Sequence, residues 1–594
     1  MATDTTRPPA SLRALFALVA IAGLSGLAAC GGGGGGSGAS TGTPAPPPSS
    51  GTAVLSVALA GGASPGIDHL WVTVTGFAMN TDATKVYGNG DPGWVVQTLA
   101  APVTLDLADP SLSQGQSLSL LKQDVTTLGT FAQLRLLVAP SDPGLVLDPS
   151  AGAAGLQFND QVQYTDANGV HIVPLEVPDL QAGLRLLSTF TLSADSTTPL
   201  SIEWNAHASL VRRASASGSD RFTVRDELQL YNQQLLTALG DGSLQIGGSI
   251  FDSISGQLDT TQFCAGASQA GCIHDVVASA TSISADGRFH EEVRSVNVSA
   301  SGSFVLYPLP TESLYDVVIH GGNMQTIVVR DVFVDPTGIL KPTPTALSSA
   351  ATPIVPVLDT SERSVTIASA LSPAGSRVLF GQTIPGSGGG TGGADIPYVI
   401  AYDAADPLTG TVLHAITLPG GPLHDALFDP STEGVGVPPP FTTVTPSEGL
   451  AAWSVWSLGR LSDATSAIAP LTATATSIVA PSPARLSAFT DGSLTVTVSG
   501  TASNGADHAE LIVSNDGGTA SVVDASALIG SHGGTLSITL PAGQSTTAPA
   551  AAVYGLALRT WAAASETATT RWARAGTPVD LSAATTGSVA LAFP

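Results

Sequence analysis

Apolar and polar residues alternate with a period of two along much of the chain after residue 53. In the run 200–208, for example, Leu200, Ile202 and Trp204 are separated by polar residues, and the alternation continues to residue 208. Because successive side chains of a strand point to opposite faces, such runs predict half-buried β-strands. Long helices are not expected, since the chain contains 65 glycine and 41 proline residues. The pattern therefore predicts an all-β protein of tandem β-sandwich domains.

The first thirty residues depart from this pattern. An uncharged apolar stretch at 14–27 follows two arginines and is shorter than the ~20 residues that a membrane-spanning helix needs. It has the length of the apolar region of a secretory signal. Ala28 and Ala29 then precede Cys30, and a run of six glycines follows. The Leu-Ala-Ala-Cys sequence resembles the cleavage box of a bacterial lipoprotein signal peptide.

The lipoprotein resemblance implies cleavage between Ala29 and Cys30 and attachment of fatty acyl chains, such as palmitate, to Cys30. Residues 1–29 are then the signal peptide, and the Gly/Ser/Pro-rich residues 30–52 are a flexible tether. Gly31 stands where an Asp would retain the protein at the inner membrane. The implied location is therefore the outer membrane, in either leaflet. An ordinary secretory signal with a chance cysteine is the alternative.

Composition and charge narrow the class of protein. Hydrophobic residues make up 43% of the 594 residues and charged residues only 11%, which favours several folded domains over disorder. The formal net charge is −25, and the basic residues are scattered, with no cluster beyond the pair Arg212-Arg213. The electrostatic footprint of a nucleic-acid-binding protein is therefore missing from the sequence. No later segment is long and apolar enough to predict a membrane-spanning helix.

Residues 53–232 carry a family resemblance. Its motifs are Ile67-Asp68 with Trp71, Leu105-Asp106-Leu107, and Gln133-Leu134-Arg135. Together they resemble the bacterial lipoprotein domain of unknown function 4382, a family with no assigned activity. The turn that usually reads Thr-Asp-Ala-Pro in that family is replaced here by residues 60–65, so no role of its Asp carries over.

A second resemblance covers residues 243–336, with motif positions at Gly302, Phe304, Leu306, Leu309-Pro310, Tyr315 and Val317. These resemble the carboxypeptidase regulatory-like, transthyretin-like sandwich, which implies a structural spacer. Phe304 and Leu306 are then expected on one sheet, with Tyr315 and Val317 on the opposed sheet. The rest of the chain is divided by strand spacing alone into a β-rich domain at 357–486 and a C-terminal β-sandwich at 487–594. One larger domain over 357–594 is the alternative.

Two cysteines remain besides Cys30. Cys264 and Cys272 are predicted to form a disulfide, because a close pair in an oxidising compartment usually bridges. A metal site is the weaker alternative, since this gap with His274 nearby matches no recognised zinc spacing.

Candidate catalytic motifs are incomplete. Residues 62–66 spell Gly-x-Ser-x-Gly, but a predicted strand follows them where a nucleophile elbow needs a helix. His290 begins a His-Glu-Glu sequence that lacks the second histidine of a zinc protease, and Glu291 and Glu292 are expected at solvent or at a strand edge. Oxygen-bearing turns at 80–82 and 166–169 lack the ligand series that calcium needs, so ordinary turn chemistry is expected there and a weak calcium site is the alternative. We therefore expect no metal, no cofactor and no enzymatic activity.

The seven tryptophans could stack on a ligand if exposed, and Trp453 with Trp456 is the tentative binding pair. The expected function is that of a non-enzymatic lipoprotein, anchored to the outer membrane, with a structural or binding role. Its partners would be the membrane, through the lipid, and a glycan or an envelope protein, but not nucleic acid. A glycan- or matrix-binding adhesin is the first alternative. An envelope hydrolase, which needs a pocket where a Ser or an acid pair meets a His, is the second.

Overall fold

The computed structural model of the protein describes most of residues 51–594. The description leaves out residues 1–50, 63, 86, 88–91, 110–117, 167, 178–179, 181–182, 214–219, 225–227, 233–250, 266–270, 285–286, 311–312, 335–344, 369–376, 387–394, 405–414, 430–435, 460–461, 471–476, 480, 482–483, 504, 516–517 and 545–551.

Residues 53–232 form two sheets around one hydrophobic core, and we call this unit the N-terminal sandwich. Its elements are β1 (Ala53–Gly61), β2 (His69–Asn80), β3 (Val95–Asp106), β4 (Leu118–Val125), β5 (Gly129–Val138), α1 (Pro149–Ala153), β6 (Gln161–Asp166), β7 (Gly169–Glu176), β8 (Leu184–Leu192), β9 (Thr197–Trp204), α2 (Ala206–Ser209), β10 (Leu210–Arg213), β11 (Arg221–Val224) and β12 (Leu228–Asn232). The smaller sheet has the order β12-β9-β1-β4. The larger has the order β10-β11-β7-β6-β2-β5-β8, with β3 paired to β2.

The strand that carries the longest predicted alternation ends earlier than the sequence pattern indicates. In β9, Leu200, Ile202 and Trp204 are buried as expected. Residues 206–209 then form α2, so the strand predicted to reach residue 208 is wrong beyond Trp204. The Trp204 indole donates to Ser209 Oγ at 2.9 Å. This bond satisfies the one polar atom of a fully buried ring and holds the turn of helix below it.

Residues 251–485 form the central unit, which has three layers. Its strands are β13 (Phe251–Gln257), β14 (His274–Ile283), β15 (His290–Asn297), β16 (Ser303–Pro310), β17 (Ser313–Gly322), β18 (Ile327–Val334), β19 (Thr345–Ala346), β20 (Arg363–Ala368), β21 (Arg377–Gln382), β22 (Tyr398–Ala404), β23 (Ala415–Leu418), β24 (Leu423–Leu427), β25 (Thr442–Val444), β26 (Ala452–Gly459), β27 (Ser462–Pro470), β28 (Ser477–Val479) and β29 (Ala484–Arg485). The middle layer is one sheet of order β25-β24-β18-β17-β14-β15-β22-β21-β26-β27-β29.

The two outer layers of the central unit are three-stranded sheets, β16-β13-β19 on one face and β23-β20-β28 on the other. Phe304 and Leu306 lie on the first of these sheets, and Tyr315 and Val317 face them from the middle layer in the same core. The sequence predicts this placement. The middle layer also takes strands from both 243–336 and 357–486, which the sequence treats as separate domains.

Residues 489–592 form the C-terminal sandwich, with a core of its own. Its elements are β30 (Phe489–Ser499), β31 (His508–Asn515), β32 (Gly518–Asp524), α3 (Ala527–Gly530), β33 (Gly533–Gly543), β34 (Val553–Trp561), a 3₁₀ turn (Ala563–Ser565), α4 (Glu566–Thr569), β35 (Arg571–Arg574), β36 (Val579–Asp580) and β37 (Thr586–Ala592). One sheet has the order β33-β30-β37, and the other has the order β32-β31-β34-β35 with β36 beside β34.

The predicted all-β fold is confirmed, and the helices among the described residues are single turns. Within the described residues, no helix has the length and apolar character needed to cross a membrane. The division of the chain into domains at 336, 357 and 486 stays a prediction.

A disulfide joins Cys264 and Cys272, with Cα atoms 5.1 Å apart. Replacing both residues with Ser is expected to lower the unfolding free energy of the central unit by about 2.5 kcal/mol, because the cross-link restricts the unfolded chain. Urea unfolding with and without reductant measures the effect. The wild type should lose stability on reduction, whereas the double variant should be insensitive to reductant. Equal stability of the oxidised wild type and the variant would contradict the prediction.

Candidate functional site

The predicted lipidation and cleavage residues, Ala29 and Cys30, lie outside the described residues. The tentative binding pair lies on β26. Trp453 is fully buried in the core beneath β20, β23 and β28. Trp456 is half-buried against Phe289, with ring centroids 5.7 Å apart. Trp453 therefore offers no face to a ligand in this structure.

The Ser of the Gly-x-Ser-x-Gly sequence lies in a turn and is almost fully buried. The Ser64 amide donates to Asn297 Oδ1 at 3.1 Å, and Asn297 Nδ2 donates to Ser64 Oγ at 3.1 Å. Asn297 therefore ties this turn to β15 of the central unit.

The expectation that Glu292 faces solvent or a strand edge is wrong. Its carboxylate accepts hydrogen bonds from Asn205 and from Ser279 Oγ, and the residue is buried. Burial follows because β15 lies under the N-terminal sandwich, which covers the face that an isolated strand would expose.

In each of the two oxygen-bearing turns, a side-chain oxygen accepts a hydrogen bond from a backbone amide two residues later. Asn80 Oδ1 accepts from the Asp82 amide at 2.8 Å, and Asp166 Oδ1 accepts from the Asn168 amide at 2.7 Å. These bonds are the usual Asx-turn chemistry. Among the described residues, no group of three or more His, Cys, Asp or Glu side chains is placed to hold a metal ion.

A polar cluster that the sequence does not predict lies where β15, β17 and β22 meet. The His290 ring stacks on Tyr398, with centroids 4.0 Å apart. The Tyr398 hydroxyl donates to Asp316 Oδ2 at 2.8 Å, and His290 Nδ1 lies 3.4 Å from the same oxygen. Arg330 donates twice to Asp425, with both distances 2.7 Å.

Burial dominates the electrostatics of this cluster. It lowers the pKa of His290 to about 4, with a further contribution from the positive charge of Arg330. Burial, together with Asp316, raises the pKa of Tyr398. The imidazole is therefore neutral at pH 7, which is the state in which a general base accepts a proton. In the described part of the chain, however, no Ser, Thr or Cys side chain is hydrogen-bonded to His290. The cluster as described holds three strands together.

A second unpredicted cluster joins the N-terminal and C-terminal sandwiches, and we call it the charge cluster. Its members are Glu176 on β7, Arg221 on β11, Glu510 on β31, Arg559 on β34 and Glu566 on α4. All five side chains are at most 11% exposed. Three carboxylates and two guanidinium groups are thus buried together, which keeps most of their charge compensated.

The charge cluster contains pairs within each sandwich and pairs between them. Arg221 binds Glu176 through two bonds of 2.8 and 2.9 Å, and Arg559 Nη2 donates to Glu566 at 2.7 Å. Across the boundary, Arg221 Nη1 lies 3.1 Å from Glu510 and Arg559 Nε lies 3.6 Å from Glu176. Each arginine therefore keeps a carboxylate partner from its own sandwich.

The carboxylates set the electrostatics of the two arginines differently. Burial alone would lower the pKa of Arg221, but Glu176, Glu510 and Glu566 together raise it. Burial lowers the pKa of Arg559, and the nearby positive charge of Arg221 adds to this effect. The two guanidinium groups therefore repel each other, and the three carboxylates hold them together.

An outer pair extends the contact between the sandwiches. Arg574 on β35 forms two bonds to Asp142, at 2.7 and 2.8 Å, and Arg571 Nη1 donates to the Pro143 carbonyl at 3.2 Å. Residues of the outer pair and of the charge cluster line one cavity between the two sandwiches, and its volume is only about 30 Å³. That is enough for water but not for a metabolite, so the arrangement is suited to binding one protein surface to another.

Residues 52–225 match the family model described as Domain of unknown function (DUF4382). The match spans nearly all of the N-terminal sandwich and confirms the resemblance predicted for that region. Glu176, Arg221 and Asp142 lie inside the DUF4382 region, whereas their partners across the boundary lie outside it.

Comparisons with curated proteins and with solved structures add no information on the family or the fold. A search of curated proteins finds no match. Among solved structures, the Bacillus anthracis TIE protein aligns with 9% identity over 91% of this chain and 74% of that chain, at a TM-score of 0.14. That score carries no argument about fold or function.

The sequence does contain a signal for the charge cluster. Charged residues are scarce, yet Glu176, Glu510 and Arg559 each interrupt or end an apolar run on a strand. A charge in such a position predicts a buried partner of opposite sign. Which distant residue supplies that partner cannot be read from the pattern.

Proposed function

We propose that this protein is a non-enzymatic lipoprotein, anchored to the bacterial outer membrane through Cys30, with a structural or binding role at the envelope. The observation that carries the proposal is the Leu-Ala-Ala-Cys sequence at 27–30, which follows an uncharged apolar stretch and precedes a glycine-rich tether. One acyl chain anchors a protein only marginally, so stable attachment requires the two or three chains of a mature lipoprotein.

The β units support a structural role. The N-terminal sandwich contacts both other units through buried charged groups, Arg294 with Glu203 toward the central unit and the charge cluster toward the C-terminal sandwich. A fully buried pair such as Arg294 with Glu203 holds the two units that it joins in one relative orientation, as suits a projecting scaffold. Residues 243–336, which resemble the carboxypeptidase regulatory-like sandwich, would serve as a spacer within it.

The anchor is tested by comparing the wild type with Cys30→Ser in a Gram-negative host. The purified wild type should lack residues 1–29 and carry acyl chains by intact-mass measurement, and it should fractionate with the outer membrane. Cys30→Ser should carry no acyl chain and lose outer-membrane association almost completely.

The matched control replaces the other two cysteines. Cys264→Ser with Cys272→Ser should still be acylated and should still fractionate with the outer membrane. A mature wild-type protein without acyl chains would contradict the proposal.

A further inference from the structure

The C-terminal sandwich is attached in two different ways. Its chain connection is short, because only residues 486–488 separate β29 of the central unit from β30. Its second attachment is the polar contact with the N-terminal sandwich, whose residue pairs are separated by 289 to 432 positions in the sequence. No strand of the C-terminal sandwich joins a sheet of another unit, and the two sandwich cores share no residue, within the part of the chain that the structure describes.

When the two surfaces separate, each arginine of the charge cluster would keep a carboxylate partner, whereas Glu510 would lose Arg221 and keep Arg559 Nη1 at 3.8 Å. Arg221 would retain its two bonds to Glu176, and Arg559 would retain its bond to Glu566. Opening would therefore break charge pairs between the sandwiches without leaving either guanidinium group without a carboxylate. That lowers the cost of opening, since an uncompensated buried charge is the expensive outcome.

The joint between the N-terminal sandwich and the central unit is built differently. There the ion pair itself crosses the boundary: Arg294 on β15 binds Glu203 on β9, and Arg294 Nη2 donates to the Gly61 carbonyl at 3.1 Å. Both side chains of that pair are almost completely buried, at 0% and 2% exposure. Separating these two units would divide the pair.

We propose that the contact between the N-terminal and C-terminal sandwiches is a reversible polar latch, which lets the C-terminal sandwich swing about residues 486–488 while the other two units stay joined. The proposal does not depend on the lipid anchor. The outer pair, Asp142 with Arg574, is the most accessible part of the latch, with side chains 18% and 16% exposed.

The latch is tested by measuring the distance between the two sandwiches in the full chain. Spin labels are placed at Val170→Cys on β7 and Ser537→Cys on β33, both of which are exposed. In the Cys30→Ser background the two introduced cysteines are the ones available for labelling, because Cys264 and Cys272 stay joined in their disulfide. The starting protein should give one narrow distance distribution by electron double resonance.

Charge reversal of the outer pair should open the latch. Asp142→Arg or Arg574→Asp alone places like charges in contact, and each should reduce the closed population by at least half. The exchanged pair, with both substitutions, should restore the starting distribution, because the attraction is re-formed with opposite polarity.

Hydrogen exchange of the same variants separates opening from unfolding. Core amides of both sandwiches should keep their protection in each single reversal. An unchanged narrow distribution in both single reversals would overturn the latch. So would a broad distribution in the starting protein, a failure of the exchanged pair to restore closure, or loss of core protection in either sandwich.

Discussion

Replacing Arg294 with Gln is expected to destabilise the protein by about 3–5 kcal/mol, because the change leaves Glu203 buried without its guanidinium partner. Arg294 is fully buried between the central unit and the N-terminal sandwich. Its substitution also removes the bond to the Gly61 carbonyl. Urea unfolding, followed by hydrogen exchange of β9 and β15, measures the loss and shows whether it is centred on this joint.

Two controls make the Arg294 result specific. Arg288→Gln changes an exposed arginine a few residues away and is expected to alter stability by less than about 0.5 kcal/mol. The double variant Arg294→Gln with Glu203→Gln removes both charges and should recover much of the loss, since no uncompensated charge remains. A double variant as unstable as Arg294→Gln alone would show that packing, and not the charge pair, stabilises the joint.

Features that depend on residues close together in the chain could be predicted from the sequence. Strand positions follow from local alternation, because burial on one face of a strand repeats every second residue; β1, with Leu55, Val57 and Leu59 fully buried, is an example. The disulfide was also predictable, because its two cysteines are close in sequence. Both inferences use only neighbouring residues.

The joints depend on pairs that are far apart in the chain. Arg221 and Glu510 are separated by 289 positions, and no local pattern indicates that they meet. The same limitation explains the tryptophans. Trp453 and Trp456 lie three residues apart on one strand and on opposite faces of it. Trp453 is fully buried under β20, β23 and β28, whereas Trp456 is half-buried beside Phe289, Leu379 and Val399.

Two strand pairings in the sheet of the central unit could not be predicted from the sequence, and the domain division itself stays a prediction. Sequence spacing separates 243–336 from 357–486 at a Pro-rich stretch, but β15 pairs with β22 and β18 pairs with β24 across that division. Both pairings are parallel, so they require long connections and leave no hairpin signal in the sequence. A turn-rich linker therefore marks a crossover here as readily as a domain boundary.

Stability of the N-terminal sandwich is expected to fall as pH rises from about 4 to about 7, in part because of Asp160. Burial raises the pKa of Asp160 to about 7, although Ser141 and Thr73 oppose the shift by donating hydrogen bonds to its carboxylate. The unfolded chain loses this proton near pH 4, whereas the folded chain keeps it to about pH 7. The folded state binds more protons across this window, so the contribution of Asp160 to the unfolding free energy decreases with rising pH.

Asp160→Asn should remove this dependence and make the sandwich more stable than the wild type at pH 8, by up to a few kcal/mol. The amide oxygen can still accept from the Thr73 amide, which donates to Asp160 Oδ1 at 2.6 Å. The amide nitrogen can donate to Ser141 Oγ in place of the bond that this hydroxyl now makes to Oδ2. Hydrogen exchange of β2 amides at pH 5 and pH 8 measures the difference.

Asp124→Asn, at an exposed position on β4 of the same sandwich, is the matched control and should leave the pH dependence unchanged. If Asp160→Asn and the wild type lose stability in parallel between pH 5 and pH 8, the proton on Asp160 does not contribute. If Asp160→Asn is instead less stable at pH 8, the two hydrogen bonds to the carboxylate outweigh its burial. The ionised Asp160 would then be a fixed point that holds β6 against β2.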